Sequence, residues 1–212
     1  MTDDGSDRVE TEIDSKPPED ADIPDVPDWD DEYVDRVSDR LMFNYDLEKD
    51  YHARGRSFTL YGAMRVESQK QFLHRSINYA NHESREHLFV RRVSSVSKPD
   101  LESLVEFGHD LADEWIDADE EHYGTDFTFA VVAPEIPADV REFVSGFRDR
   151  NLLKYGYYGH YEVNLLVVAP EEEAVVASPN ADVSVAFQTW TDVPEPPTQR
   201  GLLARLVSRI RG

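Results

Sequence analysis

The chain has 212 residues, of which 44 are acidic and 22 basic, giving a formal net charge of −22. Its 40% hydrophobic and 11% aromatic residues exclude a wholly disordered chain, and the absence of cysteine excludes disulfides, thiol catalysis and thiolate-held metal centres. The length fits one domain of roughly 150 residues plus tails.

Residues 1–28 hold 11 acids and two bases without a hydrophobic period, which predicts a disordered acidic tail. Asp30 and Asp31 then stand where a helix N-cap belongs, and Tyr33, Val34, Val37, Leu41 and Tyr45 follow at helical spacing over about four turns. From Phe58 the period falls to two: Phe58, Leu60, Met64 and Val66 alternate with polar neighbours, as in a strand with one wet face. Residues 71–80 and 87–95 are expected as further strands of an antiparallel meander.

Ser97-Lys-Pro-Asp100 reads as a helix start, and Leu101, Leu104, Val105, Leu111, Ala112, Trp115 and Ile116 cover one face after it. The apolar run 127–133 predicts a strand buried on both faces. Pro137 opens a helix carrying Val140, Phe143, Val144 and Phe147, and a second apolar run covers 163–169. Both runs end in Val-Val-Ala-Pro-Glu, at 131–135 and 167–171. Together, 127–169 predict a strand–helix–strand unit with parallel strands and a right-handed crossover. Residues 183–190 fit a helix, although Val183, Val185 and Phe187 also fit a strand. Residues 191–199 form a proline-rich linker. In 200–212, Leu202, Leu203, Leu206, Val207 and Ile210 make one apolar helical face bordered by Arg205 and Arg209.

The fold expected is therefore α/β, of mixed α+β character: antiparallel strands first, a parallel strand–helix–strand unit later, and helices packed on the sheet, in one domain over 29–190. No run approaches the ~20 apolar residues of a membrane span, and residues 1–5 lack the marks of a signal peptide, so a cytoplasmic protein is expected.

His82-Glu-Ser-Arg-Glu-His87 is not a zinc-protease motif, because histidines five apart lie about 140° from each other on a helix. A polar turn is expected there, with His82, His87, His109 and Asp113 as the candidate metal ligands; His109 and Asp113 share a helical face. Asp117-Ala-Asp119-Glu-Glu121 fails as a calcium loop, having His122 where glycine is needed and Thr128 where glutamate is needed. Asp126 and Glu162 fall on the two central strands, and acids on adjacent strands can hold Mg²⁺ beside a scissile phosphate. They are the candidate catalytic residues of a metal-dependent hydrolase.

The densest feature is Lys154-Tyr-Gly-Tyr-Tyr-Gly-His-Tyr-Glu162. Tyrosine offers contact area with few rotors and a polar tip, which suits an interface. Tyr155, Tyr157, Tyr158, His160 and Tyr161 are the candidate partner-binding residues; the alternative is a glycine-kinked strand with its rings packed on the sheet. The negative charge opposes nucleic acid, so a protein partner is expected. Phosphate-binding glycine loops, nucleophile elbows and dinucleotide fingerprints are absent, and no cofactor is expected. The reading favoured is a non-enzymatic interaction or regulatory protein. The basic helix 200–212 adds peripheral membrane contact, a docked partner, docking on the protein's own acidic body, or a simple tail.

The motifs Trp29-Asp-Asp-Glu-Tyr, Asp39-Arg-Leu-Met-Phe-Asn-Tyr-Asp-Leu, Gly108-His-Asp-Leu-Ala-Asp-Glu-Trp and Lys154-Tyr-Gly-Tyr-Tyr-Gly-His-Tyr-Glu-Val resemble an uncharacterised family of haloarchaeal proteins over 29–190. The resemblance implies a protein of a salt-filled cytoplasm and carries over no activity. Seventeen arginines against five lysines agree with it, guanidinium being the more weakly hydrated cation.

Overall fold

A computed structural model describes residues 26–68, 82–119 and 122–191, with backbone alone at 65–68, 82 and 83. The tail before 26, the strand expected at 71–80, most of the proline-rich linker and the helix at 200–212 lie outside the described residues.

Helix α1, Glu32–Leu41, starts because Asp31 accepts hydrogen bonds from the amides of Tyr33 and Val34, and it buries Tyr33, Val34, Val37 and Leu41. It ends earlier than the spacing predicts. The amides of Asn44 and Tyr45 both turn back to the Leu41 carbonyl, so Tyr45 reaches the core from a turn. Strand β1, Asp46–Ala53, follows directly and has no counterpart in the sequence reading. As an edge strand it is half-solvated, and its Asp, Glu and Lys hide the alternation.

Strand β2, Arg56–Ser68, pairs antiparallel with β1 and with β3, His82–Arg92. The polar turn expected at 82–87 is thus a correction: the segment is strand, paired to β2 from Ser68↔His82 onward. Helix α2, Lys98–Trp115, carries the capping box foreseen at Ser97 and Asp100. It leads into β4, His122–Val132, which lies parallel to β3. Helix α3, Ala138–Gly146, precedes the short β5, Asp149–Leu152, and then β6, His160–Ala169, which lies parallel to β4. Strand β7, Ala174–Ala177, shares an edge of β6 with β5, both antiparallel to it.

The result is a mixed seven-stranded sheet ordered β1-β2-β3-β4-β6-β5, with β7 beside β6. The apolar runs of β4 and β6 sit at its centre because both faces are covered. One core packs Phe89, Phe129 and Leu165 under α2 and α3. The other packs Leu88, Ala130 and Leu166 under α1 and the 3-10 turn Asp182–Phe187. That turn resolves the helix-or-strand ambiguity of 183–190. Among the described residues no helix is long and apolar enough to cross a membrane.

Candidate functional site

The tyrosine-rich segment divides in two: residues 153–159 form a loop, whereas His160, Tyr161 and Glu162 open β6, with Tyr161 packed against the core. After β5 the chain makes the 3-10 turn Leu153–Gly156, with Lys154 at φ 47° and Tyr155 at φ 61°, a left-handed conformation uncommon for bulky residues. Gly156 (φ +88°) and Gly159 (φ +73°) complete the turn. A Cβ on Gly159 would stand 2.1 Å from the Tyr123 carbonyl oxygen, so glycine is required where the loop crosses β4.

The loop is pinned on its inner side. The Leu153 amide donates to the Gly159 carbonyl, and His122 Nδ1 donates to the Tyr158 carbonyl at 2.7 Å. His122 Nε2 then accepts from Thr125 Oγ1 at 2.9 Å, which fixes its tautomer. The outer side is bare. Tyr155 is 96% exposed and Tyr157 85% exposed, while Tyr158 and Tyr161 are half-buried. Leu152 and Tyr123 also stand out from the surface nearby. Arg148, Arg150 and Lys154 are exposed along the same stretch, against the single acid Asp149. A locally basic, aromatic surface thus rises from a strongly acidic molecule.

Beneath the loop, strand register builds a row of carboxylates. Glu86 pairs with Asp126, and Asp126 pairs with Glu162, so three acids on β3, β4 and β6 stand side by side on one face. Glu162 is well supplied with partners. Arg150 Nη1 lies 3.3 Å from Oε1, His160 Nε2 lies 3.6 Å from it, and Asn180 Nδ2 donates to Oε2 at 2.6 Å. Glu86 accepts from Thr128 Oγ1 at 3.4 Å and from Tyr45; burial nevertheless raises its pKa. Asp126 has the least help: burial, then the charges of Glu162 and Glu86, push it up to about 7. Chemically, a carboxyl titrating near neutrality is suited to proton transfer.

Of the candidate metal ligands, His87 and His109 stand apart from this row, and the side chain of His82 lies outside the described residues; His160 touches the row through Glu162. His87 faces the other side of the sheet, with Tyr61 Oη 2.7 Å from its Nδ1 and its ring stacked on Phe127 and against Trp115. Burial holds it down at about 4. His109 on α2 contacts Asp149 (3.1 Å) and the Tyr161 hydroxyl (3.0 Å), while Asp113 is exposed. His160 packs on Gly124, meets Tyr123 edge-on, and is held below its ordinary range by burial and Arg150. Among the described residues no group of three or more His, Asp or Glu side chains is placed to hold a metal ion.

Sequence reasoning paired Asp126 with Glu162 and missed Glu86, Tyr45, Arg150, His122 and Asn180. Glu86 was hidden inside a segment read as a turn, and His122 inside a failed calcium loop. Arg150 and Asn180 arrive through β5 and the turn after β7, short elements whose pairing with β6 has no local period.

A mixed sheet with helices on both faces, an acid row at the leading end of its parallel strands and an exposed aromatic loop above it define a compact class of α/β domain. Residues 30–189 match the model of a domain of unknown function, DUF8052, and the chain belongs to that family. No curated protein and no solved structure matches the chain.

Proposed function

We propose that the protein is a non-enzymatic interaction module that grips a partner protein through the β5–β6 loop, with Tyr155 and Tyr157 as anchors. The observation that carries this reading is the near-complete exposure of both rings on a loop whose inner side is pinned. A solvated aromatic ring forgoes burial worth about 1.5–3 kcal/mol, and a pre-ordered loop lowers the entropic cost of docking. Arg150 and Lys154 beside the rings fit a partner surface bearing carboxylates. The setting proposed is the cytoplasm of a salt-rich cell of haloarchaeal type, supported by the −22 charge and the arginine excess. There, pairs at the rim are screened and the tyrosines carry the affinity. The apolar face of Leu202, Leu203, Leu206, Val207 and Ile210 is proposed as a second, peripheral attachment to membrane or partner.

The test uses the full chain and the partner that it cross-links through the loop. The double variant Tyr155→Ala/Tyr157→Ala is expected to keep its melting temperature and to bind that purified partner about 30-fold or more weakly. Unchanged affinity defeats the reading. A wild-type dimer that the double variant abolishes would make a second copy of this chain the partner.

A second reading, a metal-dependent hydrolase on Asp126 and Glu162, draws support from their register and from the raised Asp126. Elemental analysis distinguishes it: a stoichiometric divalent metal that Asp126→Asn releases would favour the enzyme.

A further inference from the structure

At the opposite end of the sheet from the tyrosine loop, the carboxyl ends of β3 and β4 face the start of α2 across a cleft of about 450 Å³. This volume is within the range of small-molecule sites. Ligands in open α/β sheets commonly lie outside the carboxyl ends of parallel strands. The polar lining is dominated by donors: Arg56, Arg91 and Arg92, with the hydroxyls of Ser94, Ser95 and Ser103. Val93, Val96, Leu104 and Val131 also line the cleft.

The three arginines are held differently. Arg56 is fixed in place, its Nη2 donating to the Ser103 carbonyl (3.1 Å) and Oγ (2.8 Å) and its guanidinium lying 4.9 Å over the Phe107 ring. Arg92 is neutralised by Asp31, to which it donates through Nε and Nη2. Arg91 is half-buried and has no side-chain hydrogen bond or ion pair among the described residues. Asp100 is the one carboxylate in the lining, and its Oδ2 already accepts from Ser97 N (2.9 Å) and Oγ (2.5 Å). The α2 start is thereby closed on itself, so the cleft's attraction for an anion comes from the arginines. Three guanidiniums around one cavity, one of them unpaired, run against the sign of a molecule carrying −22.

We propose that this cleft binds a small phosphorylated ligand, with Arg91 and Arg56 gripping the phosphoryl oxygens and the serine hydroxyls completing the cradle. Two planar guanidiniums and several hydroxyls match the many acceptors of a phosphoryl group better than the two oxygens of a carboxylate. Arg91 and Arg92 also line a second cleft of about 550 Å³, with Asp50, His52, Ser57, Phe58 and Thr59, which offers space for the organic part.

The experiment titrates pyrophosphate and inorganic phosphate into the full chain by calorimetry, with ionic strength fixed by sodium chloride. Saturable binding of pyrophosphate with Kd of about 1 mM or tighter is expected. Arg91→Gln should weaken it about ten- to a hundredfold at unchanged melting temperature, while Arg141→Gln, exposed on α3, should not. Absence of saturable binding up to about 10 mM, or equal affinity in Arg91→Gln, overturns the proposal. Citrate binding as tightly as pyrophosphate overturns the phosphoryl assignment.

Discussion

Asp126 and His87 sit on opposite faces of the same sheet and respond to pH in opposite directions. Burial and neighbouring carboxylates raise Asp126 from 3.8 to about 7, so the folded state binds a proton that the unfolded state has already lost. Stability therefore falls as pH rises from about 4 to about 7, on the order of 2–4 kcal/mol across the window. Burial lowers His87 from 6.5 to about 4, so it is the unfolded state that takes the proton there. Stability then falls as pH drops through that window, opposing the first effect. Asp126→Asn should flatten the first dependence. In denaturant melts from pH 4 to pH 8, its stability relative to wild type is expected to increase up to neutrality and then level off. A constant difference across the range would mean that Asp126 ionises normally in the fold. His87→Gln should have the opposite profile, with its relative stability greatest near pH 4. The carboxylate row was only half legible in the sequence for a related reason: Asp126 and Glu162 stand out against apolar runs, whereas Glu86 sits among polar residues in a strand without a clear period.

Among the elements, the β5–β6 loop depends most on a single backbone position. Gly159 combines φ +73° with a backbone carbonyl 2.1 Å from where a Cβ would stand. Gly159→Ala is expected to destabilise the fold by about 2 kcal/mol or more, since a strained φ and a steric clash act together. It should also free the His122–Tyr158 contact, which hydrogen exchange at Leu153 and Tyr158 would report. An unchanged melting temperature with unchanged exchange would show that the loop tolerates the displacement. The long elements were readable from sequence because they bury continuous faces: α2 from its capping box and apolar stripe, β4 and β6 from runs covered on both sides. The parallel pairing of β3 with β4 was not, because pairing partners are chosen by the whole sheet. Strands β1, β5 and β7 failed for another reason. They lie at or near edges, where half the side chains meet solvent and alternation fades.

Across the whole molecule, a net charge of −22 sets like charges against one another outside the two cores. Its described surface pairs, such as Arg54 with Glu114 and Lys98 with Glu102, are exposed and worth little individually. Screening should therefore matter more than pairing. The melting temperature is expected to rise steadily from low salt to about 1 M and above, where the Debye length falls to ~3 Å. A flat or falling curve would show that self-repulsion is not a significant term.

The interaction reading is tested most directly by placing a photo-cross-linking amino acid at Tyr157 in the full chain, with Glu142 on α3 as the exposed control. Both proteins are irradiated in cells grown at native salt. The account predicts one discrete adduct from position 157, containing a partner protein whose cross-linked peptide carries acidic residues, and none from position 142. Adducts of equal yield and identity from both positions, or none from position 157, would contradict it.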